Sequence, residues 1–262
     1  MTYTIGQITE YLEGLAPLNL QESYDNCGLL MGDKNTLVKS ALITLDCTEE
    51  IIREAIAEGA NLIIAHHPLI FSGLKKITNE TYIERTVALA IKNDIAVYAL
   101  HTNLDNVIHG VNAKICDVLH LENRKILLCK KGSTDSGSGM IGELKSAEKT
   151  EDFLFRIKSS FGAGSLRHTV VLKDKVQKIA LCGGSGSFLL KEAMKQGADV
   201  FISSDFKYHQ FFDSENQIVI ADIGHYEAEK FTKELIYDFL REKFPTFALR
   251  LSKINTNPIN YL

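Results

Sequence analysis

Short β-branched and aliphatic runs alternate along the chain with segments whose apolar positions recur every three to four residues. The pattern predicts strands over Ser40–Asp46, Asn61–His66 and Ile95–Leu100, with helices over Glu49–Glu58 and Asn79–Asn93. Strands that alternate with helices argue for βαβ units and a largely parallel sheet. After His120 the texture changes. Lys125–Lys130 and Met140–Lys145 read as strands around a Gly/Ser-rich loop, Gly132–Gly139, to which no chemistry is attached. Glu151–Ser160 reads as a helix, Val176–Cys182 as a strand, Phe188–Gln196 as a helix, and Asp199–Ser203 and Gln217–Ile223 as strands. Apolar residues at 228, 231, 235 and 239 predict one helix over His225–Lys243.

An internal repeat runs through this pattern. Glu54-Ala-Ile-Ala-Glu-Gly-Ala-Asn-Leu-Ile-Ile-Ala65 resembles Glu192-Ala-Met-Lys-Gln-Gly-Ala-Asp-Val-Phe-Ile-Ser203, and each follows a strand and turn in the same register, 41–48 and 179–186. Each copy reads as a helix end, a Gly cap and a buried strand. The expected fold is α/β, with two similar halves facing each other across a metal-binding cleft. Residues 1–122 with 225–262 are assigned to the first domain and 123–224 to the second. The stretch 121–175 leaves no room for a further inserted domain.

Composition narrows the function classes. The 262 residues are 45% hydrophobic and 24% charged, ordinary values for a globular chain long enough to bury a large core. A net charge of -4 gives no basic footprint for nucleic acid. Apolar runs stay short of the ~18 residues a membrane helix needs. The opening MTYTIGQITEYLEGLAP lacks a basic region followed by an apolar core, so no signal peptide is expected. The five cysteines, at 27, 47, 116, 129 and 182, form no CxxC and suit reduced thiols in a cytoplasmic protein.

Ligands in parallel α/β sheets gather at the carboxyl ends of strands. Three predicted strands run into histidine there: His66-His67-Pro68, His101-Thr-Asn-Leu-Asp105 and Gly224-His225-Tyr-Glu-Ala-Glu229. His225 and Glu229 share one helix face at i and i+4, where they can reach one ion. His101 and Asp105 have the same spacing, in a tight loop or a helix. Successive residues of an extended strand point to opposite sides, so His66 and His67 suit different ions, or one ion from a bent loop. Imidazole and carboxylate without thiolate suit zinc, iron, manganese, cobalt or nickel. Four histidines and two acids exceed what one open catalytic ion takes, and two bridged ions use them better. Asp105 and Glu229 are the candidate bridges.

Other segments carry weaker signals. Tyr24-Asp25-Asn26-Cys27-Gly28 reads as a turn that can wall a cleft. Gly183-Gly184-Ser185-Gly186 reads as a tight turn, with anion cradling as the alternative. His209 and Lys207 hold, in the second half, the place of His66-His67 in the first. His109, His120 and His168 read as surface residues.

Together these motifs resemble the GTP cyclohydrolase 1 type 2 homologue family, the Nif3-like dinuclear metal centre proteins. The resemblance runs from Tyr24-Asp-Asn-Cys-Gly-Leu-Leu-Met-Gly32 through His66-His-Pro-Leu-Ile-Phe71 and His101-Thr-Asn-Leu-Asp105 to Gly224-His-Tyr-Glu-Ala-Glu229. It implies two divalent ions per chain on His66, His67, Asp105, His225 and Glu229, and a homohexamer built as a trimer of dimers. Ser203-Ser-Asp-Phe-Lys-Tyr-His209 departs from the family's usual Thr-Gly-Asp/Glu. The implied activity is a metal-dependent hydrolase that opens the imidazole ring of GTP, with His101 or His209 moving protons. A two-metal phosphoesterase and a non-enzymatic metal-binding interaction protein are the alternatives.

Overall fold

The computed structural model describes residues 2–262. In chain order the elements are α1 (Ile5–Leu15), β1 (Gly28–Met31), β2 (Ala41–Thr44), α2 (Glu49–Ala57), β3 (Leu62–Ala65), α3 (Tyr82–Lys92), β4 (Ala96–Ala99) and α4 (Thr102–Asp105). There follow α5 (Val111–Val118), β5 (Glu122–Cys129), β6 (Gly137–Lys149), α6 (Thr150–Ser160), β7 (Arg167–His168), β8 (Lys175–Ser185), α7 (Leu190–Lys195), β9 (Val200–Ser204) and β10 (Val219–Asp222). The chain closes with α8 (His225–Glu229), α9 (Thr232–Lys243) and β11 (Leu249–Leu251). The described residues form two compact units. The first takes the chain through Leu104 and then Thr232–Thr256; the second takes Asp105–Phe231 and Asn257–Leu262.

The first unit is built on a five-stranded sheet in the order β1-β4-β3-β2-β11, parallel except for β1, which pairs antiparallel with β4. Leu42, Ile63 and Val97 point to one face and pack with Ile51, Ile52 and Ala55 of α2 and Val87 and Ala90 of α3. Burying each large aliphatic side chain contributes about 1.5–3 kcal/mol, so this layer fixes the strand register. Helices cover both faces, which explains strands that read as continuous apolar runs. Thr4 caps α1 through a reciprocal box with Gln7, and Tyr11 donates to the Phe239 carbonyl of α9 at 3.1 Å.

The second unit holds a six-stranded sheet in the order β5-β6-β8-β9-β10-β7. Strands β8, β9 and β10 are parallel, and β7 closes the edge antiparallel to β10. The repeat is physical. Ala41 pairs with Leu62 in the first sheet and Ile179 with Val200 in the second, the same offset in both. Each sheet therefore has three adjacent parallel strands flanked, beyond the third, by an antiparallel strand. The α/β class and the two similar halves are as the sequence indicates.

Several elements differ from the reading of the sequence. The helix over 225–243 is two, α8 and α9, separated at Lys230 and Phe231. The apolar stripe continues through this break, so periodicity does not register it. The contact boundary groups 105–122, 225–231 and 257–262 with the second unit, and α5 and α8 pack there on β8. The Gly/Ser loop is shorter than expected, since β6 begins at Gly137. No helix among the described residues is long and apolar enough to cross a membrane.

Gly59 and Gly197 end the two repeat helices in the left-handed region, at φ 69° and 72°, with open space where a Cβ would go. Only backbone strain penalises a side chain there. Gly59→Ala and Gly197→Ala should therefore each cost about 1–2 kcal/mol. Urea denaturation would read both, and no loss in either variant would contradict the shared cap.

Candidate metal centre

In the first unit the chemistry sits at the carboxyl ends of β2, β3 and β4. Strand β3 stops at Ala65, and the chain then bends: the His66 N–H donates to the carbonyls of Thr44 and Leu45 (3.2 and 3.1 Å), and the His67 N–H donates to Leu45 (2.9 Å). The alternation of an extended strand ends there, so the two rings turn the same way, with centroids 4.9 Å apart. The His101 ring lies 5.4 Å from each. One ligand atom from each of the three falls within 4.8 Å of the others, a grouping that can hold a metal ion.

Each ring is held through the same atom. Nδ1 of the buried His66 meets the Leu100 carbonyl at 2.7 Å, Nδ1 of His67 meets Asp46 Oδ1 at 2.7 Å, and Nδ1 of His101 meets Asp25 Oδ1 at 2.8 Å. A carbonyl only accepts, so Nδ1 of His66 carries the proton and Nε2 carries the lone pair. The carboxylates favour that tautomer at His67 and His101. Orienting imidazoles in this way is a general property of metal-ligating histidines.

The turn after α1 supplies the anchor of His101. Asp25 also accepts from the Thr102 N–H at 3.0 Å and from the Thr102 hydroxyl. Burial raises the Asp25 pKa, but the bonds from His101 and Thr102 outweigh it and hold the carboxyl well below the usual range. Asp46 is lowered in the same manner: burial opposes the charge, while His67 and Thr256 favour it. Asn103, fully buried, accepts from the His101 N–H at 3.0 Å and donates to the Ala16 carbonyl at 2.7 Å. The motif is a single helical turn, α4, and the Asn103 bond ties its first residues to the preceding His101.

The second unit presents its own donors at the ends of β8, β9 and β10. Glu229 Oε2 lies 3.0 Å from His225 Nε2, one helical turn apart on α8. His225 Nδ1 meets Asp205 Oδ2 at 2.6 Å. Burial disfavours the charged His225 ring, yet Glu229 and Asp205 push its pKa up to about 11. Asp205 sits in the left-handed region at φ 60°, a strained position for a residue other than glycine. Asp222 fixes the neighbourhood by accepting from Phe206 N (3.0 Å), Gly224 N (3.2 Å) and the Arg167 guanidinium. Gly183 and Gly184, read from sequence as a tight turn, lie at the end of β8, where a Cβ at Gly184 would collide with the Glu229 carboxylate. Burial raises the pKa of the buried Cys182 thiol, and the charges of Asp105 and Glu229 raise it further.

His209 joins none of the metal-holding groupings among the described residues; it is exposed and packs on Tyr208 and Phe212. His109, His120 and His168 are exposed as well. Asp46 and Asp205, the carboxylate partners of two histidines, escaped the sequence reading. Their signal is position: each follows a parallel strand directly or by one residue, as the histidines do.

Comparison with known proteins settles the family. The profile described as Duf34/NIF3 (NGG1p interacting factor 3) matches residues 3–258. The chain belongs to the Duf34/NIF3 family. A Clostridium perfringens member named GTP cyclohydrolase 1 type 2 homolog is 39% identical over 227 residues, covering 86% of each chain. A Bacillus cereus protein related to NIF3 superposes with a TM-score of 0.93 at 26% identity, covering 100% of this chain and 99% of that one. A Staphylococcus aureus hypothetical protein gives 0.90 at 31% identity, covering 100% of both.

The lowered Asp25 carboxyl sets a pH dependence. A group depressed on folding adds stability above its unfolded pKa of about 4, and that stability is lost as pH falls below it. In metal-free protein, Asp25→Asn should lower the urea midpoint at pH 7 and narrow the gap to wild type at pH 3. An equal gap at both pH values would show that the carboxylate charge does not stabilise the fold.

Proposed function

We propose that this Duf34/NIF3 chain is a dinuclear metal-dependent hydrolase, with His66, His67, Asp105, His225 and Glu229 as ligands. The carrying observation is the uniform anchoring of Nδ1, which leaves imidazole Nε2 atoms and carboxylates as the donor set. That set, without thiolate, fits zinc, iron, manganese, cobalt or nickel. His101 and Asp105 are four residues apart, just before the turn α4 and at its end. A bound divalent ion lowers the pKa of water to about 7 and polarises a substrate oxygen. The residues do the rest. His101, backed by Asp25, moves a proton between solvent and substrate. Asp46 and Asp205 keep their histidines from rotating.

The name shared by the curated relatives points to GTP as substrate. Opening its imidazole ring takes up water at C8 and releases formate. The family description refers to an interacting factor, which favours a second reading: a metal-holding interaction protein without turnover. A homohexamer in the cytoplasm completes the proposal, and its mass in solution tests the assembly.

Protein never exposed to chelator should carry about two ions per chain, and His66→Ala and His225→Ala should lose metal while keeping their circular dichroism. A stoichiometry of one or less removes the bridged pair. His101→Ala should keep metal yet lose formate release from GTP. Wild-type formate release no greater than that of His66→Ala would remove the cyclohydrolase and leave the second reading.

A further inference from the structure

The rings beside the histidine cluster continue outward to the surface. Phe71 stands edge-on to His101, with centroids 6.2 Å apart at 74°. Tyr24 follows, 6.2 Å from Phe71 at 44°. Exposure rises along this series, from 0% at His66 to 45% at Phe71 and 63% at Tyr24. Neither outer ring belongs to the buried core of its unit.

The backbone under the two rings is tied down. Asn26 Nδ2 donates to the Ile70 carbonyl at 2.5 Å, which links the turn bearing Tyr24 to the segment bearing Phe71. Asp25, next to Tyr24, is bound to His101 and Thr102. Cys27 N donates to Gln21 Oε1 at 2.8 Å and closes the turn. Exposed aromatic faces on a rigid support keep their area for a ligand at low entropic cost.

We propose that Tyr24 and Phe71 form a stacking edge beside the histidine cluster that holds a planar aromatic heterocycle. This deepens the hydrolase reading by naming the part of the substrate these rings hold. An aromatic ring accepts any base by its π-face, so the edge requires a planar ring and leaves the rest of the ligand to reach the histidine cluster beside it.

The test uses the metal-loaded chain and two probes, guanosine 5′-monophosphate and ribose 5-phosphate, followed by calorimetry. Guanosine 5′-monophosphate should bind at least tenfold tighter than ribose 5-phosphate. Phe71→Leu and Tyr24→Ala should each weaken the nucleotide about tenfold, the low end for one lost stack, without changing ribose 5-phosphate binding or metal content. Tyr24→Phe should bind as wild type. Equal binding of the two probes, no binding of either, or unchanged nucleotide binding in both Phe71→Leu and Tyr24→Ala would overturn the proposal. So would variants that change only the oligomeric mass, which would make the pair a contact between copies. Stacking without formate release from GTP would retain this edge and remove the cyclohydrolase.

Discussion

The clustered histidines of the first unit and His225 of the second depend on one repeated constraint, an oxygen held against Nδ1 of each. Leu100 supplies it as a carbonyl, and Asp46, Asp25 and Asp205 supply it as carboxylates. An imidazole left to rotate would exchange its two nitrogens and lose its aim. Held this way, a neutral imidazole offers one lone pair in one direction. The remaining local structure supports these oxygens: the bend after β3, the Asn103 bond and the Asp222 bonds that shape the approach to α8.

The fold supplies these oxygens economically because it uses one arrangement twice. Three parallel strands end side by side in each sheet, and their carboxyl ends bring residues distant in sequence within a few ångströms. The first unit spends those positions on imidazoles. The second spends them on a strained aspartate, a glycine turn and a short helix. Both sheets are covered by helices on their two faces, so strand ends are where polar groups can gather without breaking a core.

Most of this architecture was legible in the sequence because burial leaves a period. The runs at 41–44, 62–65 and 96–99 are buried throughout and apolar but for Thr44, and their boundaries fall within a residue or two of the reading. Helix α1 went unread although Thr4 and Gln7 spell its capping box, and β1 and β11 are short edge strands with weak patterning. The split between α8 and α9 leaves no mark because both pieces bury apolar residues in one continuous stripe. The histidine motifs were legible from their place after strands. The convergence of His66 and His67 was not, since it follows from where β3 stops, a matter of two hydrogen bonds to Leu45. Asp25 was visible as a turn residue, and its work on His101 appears only when the chain folds back across 76 positions.

The two copies of the repeat also differ at one corresponding place. Position 46, after β2, is an aspartate that steadies His67, while its counterpart in the second copy, position 184, is a glycine pressed against Glu229. One copy places a charge there and the other keeps a void. A Cβ at 184 would press on the Glu229 carboxylate, so a side chain there requires that carboxylate to move. Once a duplicated half has specialised in this way, the division of labour is locked by volume as well as by chemistry. Exchanging the two segments between copies would therefore displace Glu229 and also remove the aspartate that steadies His67.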